Sequence, residues 1–479
     1  MKTEFSKLTL ILPIAALLAP SLRAQEFLAE DLTKRTIEYR AVEAIIWGMP
    51  AVNFDLMYQA MMRDAKADSG SNKVVYWSKL SNWKNQTLTP NPDAVYFMPF
   101  FDTKEVGPVV LEIPPADESG SITGSIMDCW QSALEDVGPA GVDNGKGGRY
   151  LILPPNYKEK VPDGYIAMPS GNFQGYALLR SILQSGGEAG VPNAVAYAKR
   201  MKLYPLSKAA SERGPPPTTF VDASDVVFEA NIPYDSRFFD SLNRMVQAEP
   251  WLERDKVMID SLRTLGIEKG KAFIPDAERR GMLDAAAKEA HAWLETKYEA
   301  LFTPPYYEGT GWALPMTPEL IKGLQTRFSD PNSYPVDGRG VIYTMAFFSP
   351  KRSGAGSFYL MTIKDKGGDA FEGGSVYRLH VPPNPPVKQF WSATAYDRAT
   401  HGLIKNVPRA SRSSQNPELR KNSDGSVDVY FGHKAPDGKE SNWVPTSPTG
   451  KFEVLFRFYA PEQPLFDKTW TLPDIEKVN

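Results

Sequence analysis

The chain has 479 residues, 42% of them hydrophobic and 11% aromatic, a formal net charge of −3, and one cysteine, Cys129. That length and apolar content suffice for two or three packed domains, while the near-neutral charge leaves no electrostatic footprint for nucleic acid or an anionic membrane surface. A single cysteine excludes an intramolecular disulfide, so stability has to come from burial. The expected partner is a small molecule or another protein, and nothing in the sequence fixes an oligomeric state.

The opening segment carries Lys2 and Lys7, an apolar run from Leu8 to Pro20, and the small residue Ala24. That order reads as a secretory signal peptide over 1–24, its apolar run too short to span a membrane. A periplasmic or secreted location without stable membrane insertion is therefore expected. Leu32 to Ala65 shows helical periodicity interrupted at Gly48-Met49-Pro50, which predicts two helices with a kink.

The stretch from Thr87 to Phe101 then joins a rigid polar turn to an apolar strand. Pro90 and Pro92 fix φ and push Thr89 and Asn91 towards extended backbone, so Asn91 and Asp93 are presented by a stiff loop. Ala94 to Phe101 reads as a buried strand, with Pro99 marking an edge or a bulge. Short β runs follow at Val109 to Ile113, Ser121 to Trp130, Arg149 to Leu153, Tyr165 to Met168 and Phe173 to Ile182.

Pro192 to Met201 reads as a helix and Arg213-Gly214-Pro215-Pro216-Pro217 as a linker. Asp235 to Leu265 and Asp276 to Phe302 read as helices, and β periodicity returns from Tyr334 onward. With 41 Pro and 36 Gly spread along the chain, short strands and many turns are favoured. The expected organisation is N-terminal helices and a first β domain over 25–212, a helical segment over 213–333, and a second β domain over 334–479. The fold class is α+β and β-dominated, with two antiparallel sandwiches.

The two β regions echo one another in order. Leu111-Glu112-Ile113-Pro114-Pro115 resembles Leu379-His380-Val381-Pro382-Pro383, and strands ending in Asp128 and Asp397 follow each. Gly148 to Leu153 resembles Gly450 to Leu455. These echoes suggest related sandwiches, although apolar strand ends followed by prolines also arise by chance.

Several chemistries lack their residues. There is no Gly-x-Ser-x-Gly elbow, no His-Glu-x-x-His, and no complete phosphate loop. The four histidines are scattered in sequence. What remains is an acid, tyrosine and arginine set that could transfer protons without metal or cofactor. Asp93, Asp128, Tyr396 and Asp397 are the acid/base candidates. Asn91, Tyr96, Arg149, Arg180, Trp391, Trp443 and Arg457 are the ligand-binding candidates.

Alternation in Gln389 to Asp397 puts Ser392, Thr394 and Tyr396 on one face and Trp391, Ala393 and Ala395 on the other. Glu453 and Arg457 share a face on the last strand. The competing reading pairs these arginines and acids inside the sandwiches. The expected site lies where the turn Asn91 to Tyr96 meets polar residues of the second domain, with Arg149 or Arg180 close by. Its expected work is hydrolase or lyase chemistry on a small polar or saccharide-like molecule; binding without turnover and a protein-interaction module are the alternatives.

Several stretches together carry a family resemblance. Asn91-Pro92-Asp93-Ala94-Val95-Tyr96, Asp128-Cys129-Trp130 and Gly148-Arg149-Tyr150-Leu151-Ile152-Leu153-Pro154-Pro155 resemble the N-terminal domain-of-unknown-function family 1254. Phe390 to Asp397, Asn422 to Ser426, Asn442-Trp443-Val444-Pro445 and Arg457 to Pro461 are similar to its usual partner, family 1214. The resemblance implies two β-rich domains, the second jelly-roll-like, and no reaction. Where such proteins commonly carry Asn-Arg-Asp, this chain has Asn91-Pro92-Asp93, which removes a positive charge from the turn.

Overall fold

In the computed structural model, which describes residues 28–67, 72–183, 187–346, 350–352 and 356–478, two β-sandwiches are joined by helices. The expected signal peptide lies outside the described residues. In the first sandwich a six-stranded sheet runs in the order Thr219–Asp222, Lys73–Tyr76, Val95–Asp102, Gln174–Ser181, Ile122–Asp128, Ala133–Val137. It packs on a four-stranded sheet, Lys202–Pro205, Val109–Ile113, Gly148–Leu153, Ile166–Pro169. Alternate residues such as Phe97, Leu179, Leu111 and Ile152 fill the space between them.

The second sandwich repeats eight strands of the first, without counterparts for Thr219–Asp222 and Lys73–Tyr76. Its sheets run Ser357–Thr362, Phe452–Tyr459, Trp391–Asp397, Ser411–Ser413, and Glu476–Val478, Val376–Val381, Val427–Gly432, Trp443–Pro445. Each neighbour pair has the sense of its counterpart: all are antiparallel except Gly148–Leu153 with Ile166–Pro169 and Val427–Gly432 with Trp443–Pro445, which are parallel. Asp128 and Asp397 end equivalent strands, and the Leu111 and Leu379 strands correspond. The third echo is corrected: Gly148–Leu153 corresponds to Val427–Gly432, and the strand after Gly450 to Gln174–Ser181. A glycine before an apolar strand is too common to carry register.

Each sandwich turns the other face of one sheet towards the helices. Met98, Phe100 and Tyr176 from the first, and Met361, Tyr396 and Leu455 from the second, belong to one core with those helices. The predicted division into two helices at Pro50 is absent: Ala29–Arg63 is one helix with Pro50 inside it. Pro50 has no N–H for the Ile46 carbonyl. The helix Val336–Met345 packs there through Gly340, where a Cβ would stand 2.8 Å from Ile46 O. That helix occupies sequence where strands were expected from Tyr334 onward; β structure resumes at Ser357. The expected helix Asp235 to Leu265 is broken into Arg237–Ala248 and Met258–Leu265, because Pro250 holds Glu249 extended. Pro99 lies inside a six-stranded sheet rather than at its edge, and the ladder to Gln174–Ser181 lapses at Met98 and Pro99.

Candidate functional site

Equivalent strands of the two sandwiches line one cavity of about 280 Å³. Tyr96 and Tyr359, Met98 and Met361, Leu178 and Leu455, and Arg180 and Arg457 contribute to its wall as four matched pairs. Tyr96 faces Arg180 across its ladder, as Tyr359 faces Arg457. On the far side of each arginine stands a hydroxyl residue, Thr123 or Ser392. Helical residues including Leu324, Ile342 and Met345 close the cavity.

The turn predicted to organise the site forms one wall through Thr87 to Pro90. Thr89 is not extended as expected; its φ is +36°, a strained value for a β-branched residue. Three contacts hold it there: its N–H donates to His401 O at 2.7 Å, its hydroxyl to Met345 O at 2.9 Å, and its carbonyl accepts from Arg457 at 3.2 Å. Asn91 accepts from the Asp93 N–H at 2.9 Å and donates through Nδ2 to Tyr459 OH at 2.5 Å. Tyr96 OH accepts from Asn91 N at 2.9 Å and from Arg180 Nε at 3.4 Å.

The two arginines differ in employment. Arg457 is buried and donates to Thr394 at 2.9 Å, to Tyr396 OH at 2.5 Å and to Thr89 O. Among the described residues Arg180 has a single hydrogen bond, the long one to Tyr96, with its guanidinium carbon 5.5 Å from that ring. Neither forms an ion pair with a carboxylate among the described residues. Burial works against both charges, and surrounding tyrosine oxygens outweigh it and hold both guanidiniums protonated. Between them stands Tyr359: burial pushes its phenol up, but Arg180 and Arg457 together bring it below the usual tyrosine range. Ser357 donates to its oxygen at 2.8 Å.

Six of the predicted residues, Asn91, Asp93, Tyr96, Arg180, Tyr396 and Arg457, meet at this junction, and the rest do not. Tyr396 is fully buried and locked between Pro90 O, at 2.7 Å, and Arg457, which leaves it a structural tie. Asp93 faces away from the arginine cavity into a polar one of about 890 Å³ between residues 78–83 and 407–418. There it accepts from Ser411 at 3.1 Å, and the Ser392 hydroxyl also stands beside its carboxylate. Asp128 lies at the opposite end of the sheet, where it accepts from the N–H groups of Trp130 and Ser132 at 2.9 Å. Asp397 does the same for Ala399 and Thr400.

Arg149 is exposed on the four-stranded sheet, over the Tyr165 ring. Trp391 stacks on Phe456 inside the second sandwich, and Trp443 donates to Gly432 O at 2.7 Å. Sequence reasoning missed Tyr359 and the methionine and leucine pairs. A signal was present: Tyr96-Phe97-Met98 with Leu178-Leu179-Arg180 recurs in order as Tyr359-Leu360-Met361 with Leu455-Phe456-Arg457.

A buried ionic cluster braces the junction. His401 Nδ1 lies 2.6 Å from Glu453, Tyr298 donates to Glu453 at 2.9 Å, and Arg398 meets Glu295 at 2.6 Å. The histidines are less scattered than the sequence suggests, since His291 and His401 both approach Glu295, at 3.7 and 3.6 Å. No group of three His, Cys, Asp or Glu among the described residues is placed to hold a metal ion.

Two family models match the chain, each with the description "Protein of unknown function": DUF1254 over residues 71–205 and DUF1214 over residues 356–463. The chain joins a DUF1254 domain to a DUF1214 domain. The arginine cavity therefore draws Arg180 from the DUF1254 domain and Arg457 from the DUF1214 domain. The fold is similar to the crystal structure of the VPA0106 protein from Vibrio parahaemolyticus, with a TM-score of 0.54 at 17% identity over 92% of this chain and 100% of that one. An uncharacterized protein from Burkholderia cenocepacia matches at a TM-score of 0.42 and 11% identity over 93% of this chain and 94% of that one. No curated protein matches the chain. Among the described residues, no helix is long and apolar enough to cross a membrane.

Proposed function

We propose that the chain binds a small organic anion with an apolar body in the cavity between its sandwiches, with Arg180 taking the anionic group. One observation carries this reading: two guanidiniums with no carboxylate ion-pair partner among the described residues border an apolar cavity. Arg180 is half-buried, and a cation partly withdrawn from water without an ion partner is costly, a cost that a ligand carboxylate or similar anion relieves through charge-assisted bonds. Walls of Met98, Met361, Leu178 and Leu455 suit an apolar body. A saccharide would lose its hydroxyl hydrogen bonds to water there without replacement.

Calorimetric titration of short alkyl carboxylates, sulfonates and phosphonates tests the reading. Wild type is expected to bind at least one series, and Arg180→Gln to weaken it by about tenfold or more. Binding indifferent to Arg180→Gln, or none by any of the three, overturns it.

Acid/base turnover of the bound anion is the second reading, favoured by Tyr359. A phenol brought below its usual range by two cations can act as a base near a bound substrate. Solvent-deuterium exchange into a bound carboxylate, lost in Tyr359→Phe, supports turnover; no exchange in wild type leaves a binding protein. The location proposed is periplasmic or secreted, supported by the opening order of Lys2 and Lys7, apolar run and Ala24. The intact mass of the chain recovered from each cell fraction checks it.

A further inference from the structure

We propose that the ligand is an extended alkyl carboxylate whose head lies at Arg180 and whose tail passes Met316 into a second cavity; this rests on the anion-binding reading above. The second cavity, of about 900 Å³, is lined by residues that include Leu301, Leu320, Val336 and Val341. Leu314, Pro315, Met316 and Ile342 line both cavities, so a single layer of side chains divides them.

That partition is built to yield. Met316 is only half-buried, and an unbranched thioether changes rotamer at little cost, so its movement joins the two spaces. The first cavity has Arg180 on its sheet lining, without an ion-pair partner among the described residues, and its partition in the loop residues Leu314 to Met316 and the helical Ile342. A ligand with one charged end and an apolar body therefore has one productive orientation, head on the sheets and tail towards the helices. The second cavity reaches the surface, since Lys297, Glu319 and Asp337 on its lining are exposed, which supplies an entry path. A ligand confined to the first cavity would leave this adjoining apolar surface unused.

The test is a chain-length series, butyrate, octanoate and dodecanoate, titrated below their micelle concentrations into full-length wild type, Arg180→Gln and Val336→Trp. Val336 is half-buried on the second cavity alone, so tryptophan there fills the tail space. In wild type, affinity is expected to rise about fourfold per added methylene, the equivalent of about 0.8 kcal/mol of burial, until the tail is accommodated. Val336→Trp is expected to cut the ratio of dodecanoate to butyrate affinity by about tenfold or more. Leu301→Trp, judged by the same ratio, serves if Val336→Trp does not fold. A wild-type series that is flat beyond butyrate, or a ratio unmoved by a folded plug variant, overturns the tail while leaving the anion site. Butyrate binding indifferent to Arg180→Gln instead overturns the anion site itself.

Discussion

Arg180 and Arg457 occupy equivalent positions in two sandwiches of matching strand order. Each faces a tyrosine across its strand, and each guanidinium carbon lies 5.5 Å from that tyrosine's ring centroid, Tyr96 in one half and Tyr359 in the other. Setting the two sandwiches against shared helices brings two cations to one cavity. Their hydrogen bonding differs: Arg457 is tied into the fold by Thr394, Tyr396 and Thr89, whereas Arg180 donates, among the described residues, only to Tyr96.

That difference predicts different costs for the same substitution. Arg457→Gln is expected to destabilise by about 2–4 kcal/mol, because two buried partners, Thr394 and Tyr396, and the half-buried Thr89 lose a charged donor. Arg180→Gln is expected to cost less than about 1 kcal/mol, since only the long bond to Tyr96 goes. Urea unfolding of both variants checks this, and equal losses contradict the division of labour.

The ionic cluster predicts a pH window. Burial opposes the charge of His401, but Glu453 and Glu295 outweigh it and lift the imidazole from 6.5 to about 9. Its contribution is therefore complete below pH 6.5 and lost as pH rises through about 9. Glu295 moves the other way: burial pushes it up, while His291, His401 and Arg398 hold it well below 4.5, so its contribution is lost as pH falls through the acid range. Stability measured by urea unfolding is expected to decline on both sides of neutrality, with the alkaline limb abolished in His401→Gln. A flat profile between pH ~7 and ~10 in wild type refutes the assignment.

Asp93→Asn is expected to leave stability unchanged or to raise it by up to about 1 kcal/mol at neutral pH. Burial lifts the Asp93 carboxyl, with partial relief from Arg457 and from Ser392 and Ser411, so its charged form is a cost that sets in as pH rises above the ordinary 3.8 and is complete above its raised folded value. The amide can still accept from Ser411. Removing a negative charge near Arg457 is also expected to tighten anion binding. A lower melting temperature with weaker binding would restore Asp93 to the site as a ligand group.

Two glycines predict opposite effects of one methyl group. Gly340→Ala places Cβ 2.8 Å from the Ile46 carbonyl and forces two helices apart, at an expected cost of about 1–3 kcal/mol. Gly281→Ala, in the helix Ala277–Ala300 with open space around it, is expected to stabilise by about 0.5–1 kcal/mol. Thermal unfolding of the pair decides whether the helix interface is as close as described.

Local patterns in the sequence determined most of the elements. Period-2 runs marked the strands, Asp276 marked the start of Ala277–Ala300, and the stiff turn around Asn91 and Asp93 pointed to the junction where six predicted residues meet. Such features are legible because they depend on neighbours in the chain. Only the tertiary structure decided which polar residues serve the cavity. Asp128 and Asp397 cap turns, Trp391 fills a core, and Tyr359 enters the site, because a side chain's role depends on which sheet covers its face. It also decided that Ala29–Arg63 is a single helix through Pro50, where the local rule predicts a division, with the helix carrying Gly340 packed against that turn.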